Sequence, residues 1–223
     1  MSLLNLPVAD LEPPRVIFLD AVGTLFGVAG SVGEIYSTLA QRHGIEVDPT
    51  ALNQAFFRAF QAAPAMAFPA VEPLTVPQRE YHWWRVVAQQ TFSSAGMIDK
   101  FADFDGFFAD LYGYFATAAP WVLYPDVPRA LQRWQRQGIE LGVISNFDSR
   151  LYRVLEALNL QGYFDSVTIS SEAGAAKPDP LIFAAALQKH HCEAAQAWHV
   201  GDSETDDVGG AQAAGLRAVW LQR

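Results

Sequence analysis

The sequence predicts an α/β fold: a doubly wound parallel sheet with helices on both faces, interrupted by an all-helical insertion. Three observations carry this. After Pro125, short apolar runs alternate strictly with helix-like segments. The run Ile139–Ile144 has no polar alternation, as expected of a strand buried on both faces. Between residues 31 and 119 the texture is helical throughout.

The elements follow in order. Arg15–Asp20 reads as a first strand, an apolar run with Val and Ile closed by a Gly-Thr turn at Gly23-Thr24. Helices are then expected over Ser31–His43, Pro49–Ala63, Pro77–Phe92 and Asp99–Phe115. Pro77 suits a first helical turn, and Pro64, Pro69 and Pro73 break the segment before it. Beyond Pro125 the reading is helix Asp126–Gln137, strand Ile139–Ile144, helix Arg150–Leu158 and strand Ser166–Ser170. Helix Pro180–His190, strand Ala197–Val200, helix Asp207–Ala214 and strand Arg217–Leu221 complete it. Residues 1–30 and 120–223 thus form an α/β core, and 31–119 a helical insertion leaving from the carboxyl end of the first strand. Ligands of open α/β sheets bind at that end, so the insertion is expected to sit over the site as a cap.

Composition narrows the partners. Charged residues are 17% of the chain and the formal charge is −9, with basic residues scattered. That argues against nucleic acid and anionic membranes, and leaves a small molecule. With a single cysteine, Cys192, no internal disulfide forms, and the first ten residues make a poor secretory signal. The cytoplasm is the expected compartment, and a monomer the default. The longest uncharged stretch, Leu111–Pro125, holds Gly113, Pro120 and Pro125 and falls short of a membrane span.

Four polar clusters each follow a predicted strand: Asp20; Ser145-Asn146; Lys177 in G-A-A-K-P-D-P; and Gly201 through Asp207. Singly they have plainer readings, as a turn residue, a helix cap, a loop and a solvated helix start. If the strands are parallel, all four meet on one edge of the sheet. Carboxylates, a hydroxyl, an amide and one lysine suit a phosphate and a hard divalent cation. Mg²⁺ favours such oxygen ligands, while lysine, hydroxyl and backbone N–H groups hold an anion.

In this order the motifs resemble those of the haloacid dehalogenase (HAD) superfamily, in the branch with a helical cap after the first motif. They are D-A-V-G-T-L from Asp20, V-I-S-N-F-D from Val143, Lys177 in A-K-P-D-P-L-I-F, and G-D-S-E-T-D-D-V-G-G-A from Gly201. The likeness spans nearly the whole chain, and a subgroup of the superfamily carries D-A-V-G-T. The resemblance implies a Rossmann-like core and a covalent mechanism. Asp20 would be the nucleophile, with Ser145, Asn146 and Lys177 on the phosphoryl group. Mg²⁺ would be held by Asp20, Asp202 and the backbone carbonyl of Val22. Asp206 and Asp207 would order metal-bound water or position Lys177, and Thr24 would support the first-motif turn.

Val22 is the departure. Phosphatases of this superfamily carry Asp there, as the acid that protonates the leaving group and the base that then activates water. A positioned acid/base contributes roughly 10²–10⁴-fold, so a slow phosphatase is expected. Two alternatives stand beside it. One is a catalytically weak or inactive phosphate-binding or regulatory protein. The other is dehalogenase- or phosphonatase-like chemistry. The dehalogenases resemble D-x-Y-G-T, use no metal and have serine where this chain has Asp202. The phosphonatases use a cap lysine, and Lys100 is the only lysine between residues 31 and 119. His82, Arg85 and Lys100 read as surface residues, the cap aromatics as packing, and His199 and Cys192 as structural.

Overall fold

A computed structural model describes residues 2–5 and 13–223. Its centre is a five-stranded parallel sheet in the order β5-β4-β1-β6-β7. The strands are β1 (Val16–Leu19), β4 (Glu140–Ser145), β5 (Ser166–Ile169), β6 (Ala197–Gly201) and β7 (Arg217–Trp220). The middle strand β1 pairs Val16 with Glu140 on one side and with Ala197 on the other. All four of its residues are buried, which explains why its sequence shows no polar alternation.

Period-two alternation divides β1 between two cores. Ile17 and Leu19 join Leu131, Trp134, Leu151 and Val154, from helices α5 (Val127–Arg136) and α6 (Arg150–Ala157). Val16 and Phe18 join Ile182, Phe183 and Ala211, from α8 (Pro180–His190) and α9 (Gly210–Ala213). The sheet is therefore covered on both faces, as a doubly wound fold requires.

Helices α1 (Val32–Arg42), α2 (Pro49–Ala62), α3 (Val76–Ser94) and α4 (Phe104–Tyr114) form a separate layer. It has its own apolar cluster, built from Ile35, Leu39, Leu52, Phe92 and Phe107 among others. Local caps set its boundaries. Ser31 and Glu34 close a reciprocal capping box, and Asp48 accepts from the Ala51 N–H.

The structure corrects several expected boundaries. The fourth helix starts at Phe104 rather than Asp99, because Asp103 caps it by accepting from the Gly106 N–H at 2.9 Å. Residues 98–100 form a separate 3-10 turn on which Lys100 is exposed. The strand expected to reach Ser170 stops at Ile169, and Ser170–Ala173 forms a one-turn helix, α7, ended by Gly174 at φ +69°. The last helix begins earlier than Asp207, in a π-helical turn over Glu204–Gly209 that leads into α9. A two-stranded antiparallel ribbon also appears, β2 (Phe26–Val28) against β3 (Trp121–Leu123), through which the chain enters and leaves the helical layer. Three-residue strands carry no usable periodicity, so the sequence did not reveal it. Among the described residues, no helix is long and apolar enough to cross a membrane.

Candidate active site

Each of the four polar clusters is carried to the carboxyl edge of the sheet. Asp20 follows β1, its backbone N–H donating to the Val200 carbonyl at 2.9 Å. The chain then turns tightly. The Ala21 carbonyl accepts from the N–H groups of Thr24, Leu25 and Phe26. That network does not engage the Val22 carbonyl. Gly23 takes φ +94°, and a Cβ there would collide with the Asp202 carboxylate. Only glycine lets the loop approach so closely.

Lys177 organises the centre. Its buried ammonium donates to Asp20 Oδ1 at 2.6 Å, to Asp207 Oδ1 at 2.6 Å and to the Ile144 carbonyl at 3.1 Å. Ser145, at the end of β4, donates to Asp20 Oδ1 at 3.1 Å. Asn146 does not face the carboxylates. Its side chain donates to the Lys177 carbonyl at 2.9 Å and accepts from the Lys177 N–H at 2.7 Å, fixing the backbone that carries the ammonium.

Asp207 accepts three hydrogen bonds. It takes Lys177 and His199 Nε2, at 2.8 Å, on one oxygen and the Ser203 N–H, at 2.9 Å, on the other. His199 is fully buried, and its Nδ1 has no hydrogen-bond partner among the described residues. Burial pushes its pKa down against the pull of Asp207. The network thus assigns a neutral ring that donates from Nε2. Asp206, by contrast, is not bonded to Lys177; its backbone N–H donates to Ser203 Oγ at 3.1 Å. Thr24 is fully buried, and its hydroxyl has no hydrogen-bond partner among the described residues.

The charges are unequal. Oxygens of Asp20, Asp202 and Asp207 all lie within 4.8 Å of one another, against the single cation of Lys177. Burial pushes Asp207 up, but His199 and Lys177 outweigh it and hold that carboxyl well below the usual range. Burial and the neighbouring carboxylates Asp207 and Asp202 leave Asp20 raised, with Lys177 opposing them. Asp202 is likewise raised, by partial burial and by Asp207. Burial alone would lower Lys177, but Asp20 and Asp207 reverse the shift, so the ammonium stays charged. The donor set fits a hard divalent cation. Asp207 is already committed to Lys177 and His199, so Asp20 and Asp202 are the carboxylates left to hold one.

The helical layer closes over this edge. Buried Glu80 of α3 accepts from Ser171 Oγ at 2.6 Å and from the Ser149 N–H at 2.9 Å. Trp84 donates its indole N–H to Asp148 at 2.7 Å. Asp148 also holds Arg150 in a two-pronged pair at 2.8 and 2.7 Å, and that guanidinium stacks over Tyr112 at 3.8 Å. Between the layers lies a cavity of about 270 Å³, lined by Phe56, Phe60, Trp84, Phe147 and Arg150 among others, with Val22 and Asn146 on its core side.

Glu80, Asp148 and Arg150 were not singled out from sequence as interface residues. The one signal for Glu80 is a charged residue on the apolar stripe that runs Val76, Glu80, Trp84, Val87 and Thr91.

Comparison with known proteins agrees with this architecture. The family model described as haloacid dehalogenase-like hydrolase matches residues 14–215. Haloacid dehalogenase-like hydrolase domain-containing protein 3 of Bos taurus is 37% identical over 204 residues, 92% of this chain and 80% of that one. The phosphoserine phosphatase of Thermus thermophilus is 37% identical over 111 residues, 49% of this chain and 45% of its own. The solved structure of L-2-haloacid dehalogenase from Xanthobacter autotrophicus superposes with a TM-score of 0.67 at 20% identity. That match covers 94% of this chain and 78% of the other, and it is a likeness of fold.

Proposed function

The chain belongs to the haloacid dehalogenase-like hydrolase family, and we propose that it is a phosphatase-type member acting on a small phosphorylated compound with Asp20 as nucleophile. One observation carries this: Asp202 is present and lies with Asp20 and Asp207 inside a 4.8 Å cluster. A carboxylate there would repel an acidic haloacid substrate but suits a cation and a phosphate. Support also comes from the partial likeness to a phosphoserine phosphatase.

An oxygen of Asp20 attacks phosphorus, the bond to the ester oxygen breaks, and the leaving oxyanion departs with that electron pair and takes a proton from solvent. Water then attacks the phosphoryl group on Asp20, releasing phosphate and restoring the carboxylate. Lys177 and Ser145 already converge on Asp20 and hold the transferring oxygens. Asp207 keeps Lys177 charged and aimed. Asp20, Asp202 and the Val22 carbonyl would hold Mg²⁺, which would supply charge neutralisation at the phosphate. No carboxylate stands at position 22 to protonate the leaving group, so the rate depends steeply on leaving-group acidity.

A second reading rests on the same Val22: a phosphate-responsive binding protein with little turnover. One assay separates the two. Phosphate release from 4-nitrophenyl phosphate with Mg²⁺ is followed for the native chain, Asp20→Asn and Val22→Asp. Turnover that EDTA suppresses and Asp20→Asn abolishes supports the phosphatase. Activity retained in Asp20→Asn overturns the nucleophile assignment. Turnover in Val22→Asp alone favours the binding protein.

A further inference from the structure

We propose that the cavity beside Val22 is the leaving-group site, and that it takes an uncharged aromatic ring, making the substrates aryl phosphate monoesters. This inference rests on the phosphatase reading above and names its substrate class.

The position of the cavity comes first. Val22, Asn146 and Phe147 line its core side. Val22 stands two residues from Asp20, and Asn146 adjoins Ser145. Asp20 and Ser145 do not themselves line the cavity, but their chain neighbours do, so a group bonded to a phosphoryl at Asp20 has this space next to it. A dry apolar cavity of roughly 150 Å³ accommodates benzene. At about 270 Å³, this one has room for a fused or substituted ring.

Its chemistry comes second. Phe56, Phe60, Trp84, Phe115 and Trp121 supply aromatic walls. The charged and amide groups among the lining residues are already paired. Both ends of the Asn146 amide are bound to the backbone of Lys177. Arg150 is matched by Asp148, and its remaining terminal nitrogen donates to the Tyr112 carbonyl at 3.2 Å. Burial raises the pKa of Tyr36 and Tyr112, so both phenols stay neutral. A charged tail, such as that of an amino acid or hydroxy acid, would lose water there and meet only two neutral phenols and an already paired guanidinium, with no free counter-charge. A ring loses nothing of the kind and gains stacking contacts.

Val22 joins these two points. An aspartate at this position would place a carboxylate against the apolar wall. Valine removes that charge and extends the wall. It also removes the leaving-group acid, a loss that an aryl oxide tolerates best. A phenol ionises near pH 10, as tyrosine does, so its oxyanion departs with the electron pair and takes a proton from solvent afterwards. The missing acid and the aromatic cavity thus select the same substrates.

The test uses two readouts. The first is kcat/KM, by phosphate release, for 2-naphthyl phosphate, phenyl phosphate and O-phosphoserine. Naphthyl and phenyl esters leave with similar ease, so their ratio reports the fit of the second ring. That ratio is expected to be about tenfold, the scale of a few buried carbons, and to fall to about one in Phe60→Ser. The second readout is quenching of tryptophan fluorescence by 2-naphthol in Asp20→Asn, which needs no turnover. Saturable quenching that Phe60→Ser weakens about tenfold is expected. If naphthol binds in this way while no ester is hydrolysed, the phosphatase reading fails and the ring site stands. If the three esters react within threefold of one another and naphthol does not bind, the phosphatase stands and this inference is overturned.

Discussion

Lys177 holds Asp207 at 2.6 Å, the same distance at which it holds Asp20. The lysine is thus a bridge between Asp20 at the end of β1 and a carboxylate locked in place by His199 and the Ser203 N–H. Removing one partner of a buried pair leaves a charge uncompensated, at a typical cost of 3–5 kcal/mol. Asp207→Ala is expected near the lower end, about 3 kcal/mol, because Asp20 still faces the ammonium. Urea denaturation measures this, and a loss below about 1 kcal/mol would show that Asp207 does not stabilise the lysine.

Gly23 and Asp202 give a prediction about the cation. A methyl group at Gly23 would strike the Asp202 carboxylate and needs φ +94°, which alanine resists. Gly23→Ala and Asp202→Asn should each weaken Mg²⁺ binding at least tenfold in isothermal titration, the scale seen when a site's geometry is disturbed. Asp202 is partly exposed and its charge is opposed by Asp207, so Asp202→Asn should not lower thermal stability. Equal Mg²⁺ affinity in the native chain and Asp202→Asn would remove Asp202 from the site.

Val22→Asp restores a leaving-group acid. Hydrolysis of an alkyl phosphate, which needs protonation, should rise by roughly 10²–10⁴-fold. Hydrolysis of 4-nitrophenyl phosphate should change far less. A uniform change across both esters would mean that the residue acts on binding or folding instead.

Glu80 ties the helical layer to the core through Ser149 and Ser171. Glu80→Gln leaves one accepting oxygen and turns an amide toward groups that donate. A loss of about 1–3 kcal/mol is expected, together with faster proteolysis between α2 and α3. A double-mutant cycle with Ser171→Ala should give a non-additive result; strict additivity would deny the contact.

Asp126 responds to pH. It accepts from Ser2 and the Leu3 N–H near one end of the chain and pairs with Arg223 at the other. Burial would raise its carboxyl, but Arg223, Leu3 and Ser2 hold it below the ordinary value. A carboxyl lower in the folded than in the unfolded chain contributes stability above the unfolded value, about 3.9. That stability is lost as pH falls through the folded value. Asp126→Asn should therefore lower the denaturation midpoint at pH 7, with the difference from the native chain shrinking below pH 4. A constant difference down to pH 2 would contradict this.

What sequence could show depended on how far apart the partners lie. Asp20 was visible because an apolar strand ends on it, and Ser145, Lys177 and Asp202 because each follows a strand in turn. Parallel strands put such residues on one edge whatever their separation, so that part of the site was readable. The bond from Ser171 to Glu80 joins residues 91 positions apart, on a helix and a turn that no local pattern relates. Arg150 read only as a helix start, because its role comes from Asp148 beside it and Tyr112 on another layer. The cavity was hidden for a different reason. Phe56 and Phe60 lie on an amphipathic helix, where aromatic residues usually pack, and periodicity cannot distinguish a packed wall from an open one.

The ribbon of β2 and β3 has a consequence for inheritance. Val28 is paired with Trp121, so the two points at which the chain leaves and rejoins the core are neighbours. Whatever lies between them closes a loop whose ends are already together. Loop-closure entropy rises slowly with length, by about 0.6 kcal/mol for each doubling. A longer, shorter or quite different segment could therefore be spliced in at this seam with little effect on the strands that carry Asp20 and Ser145. Selection can then exchange the helical layer while leaving Asp20 and Ser145 where they are.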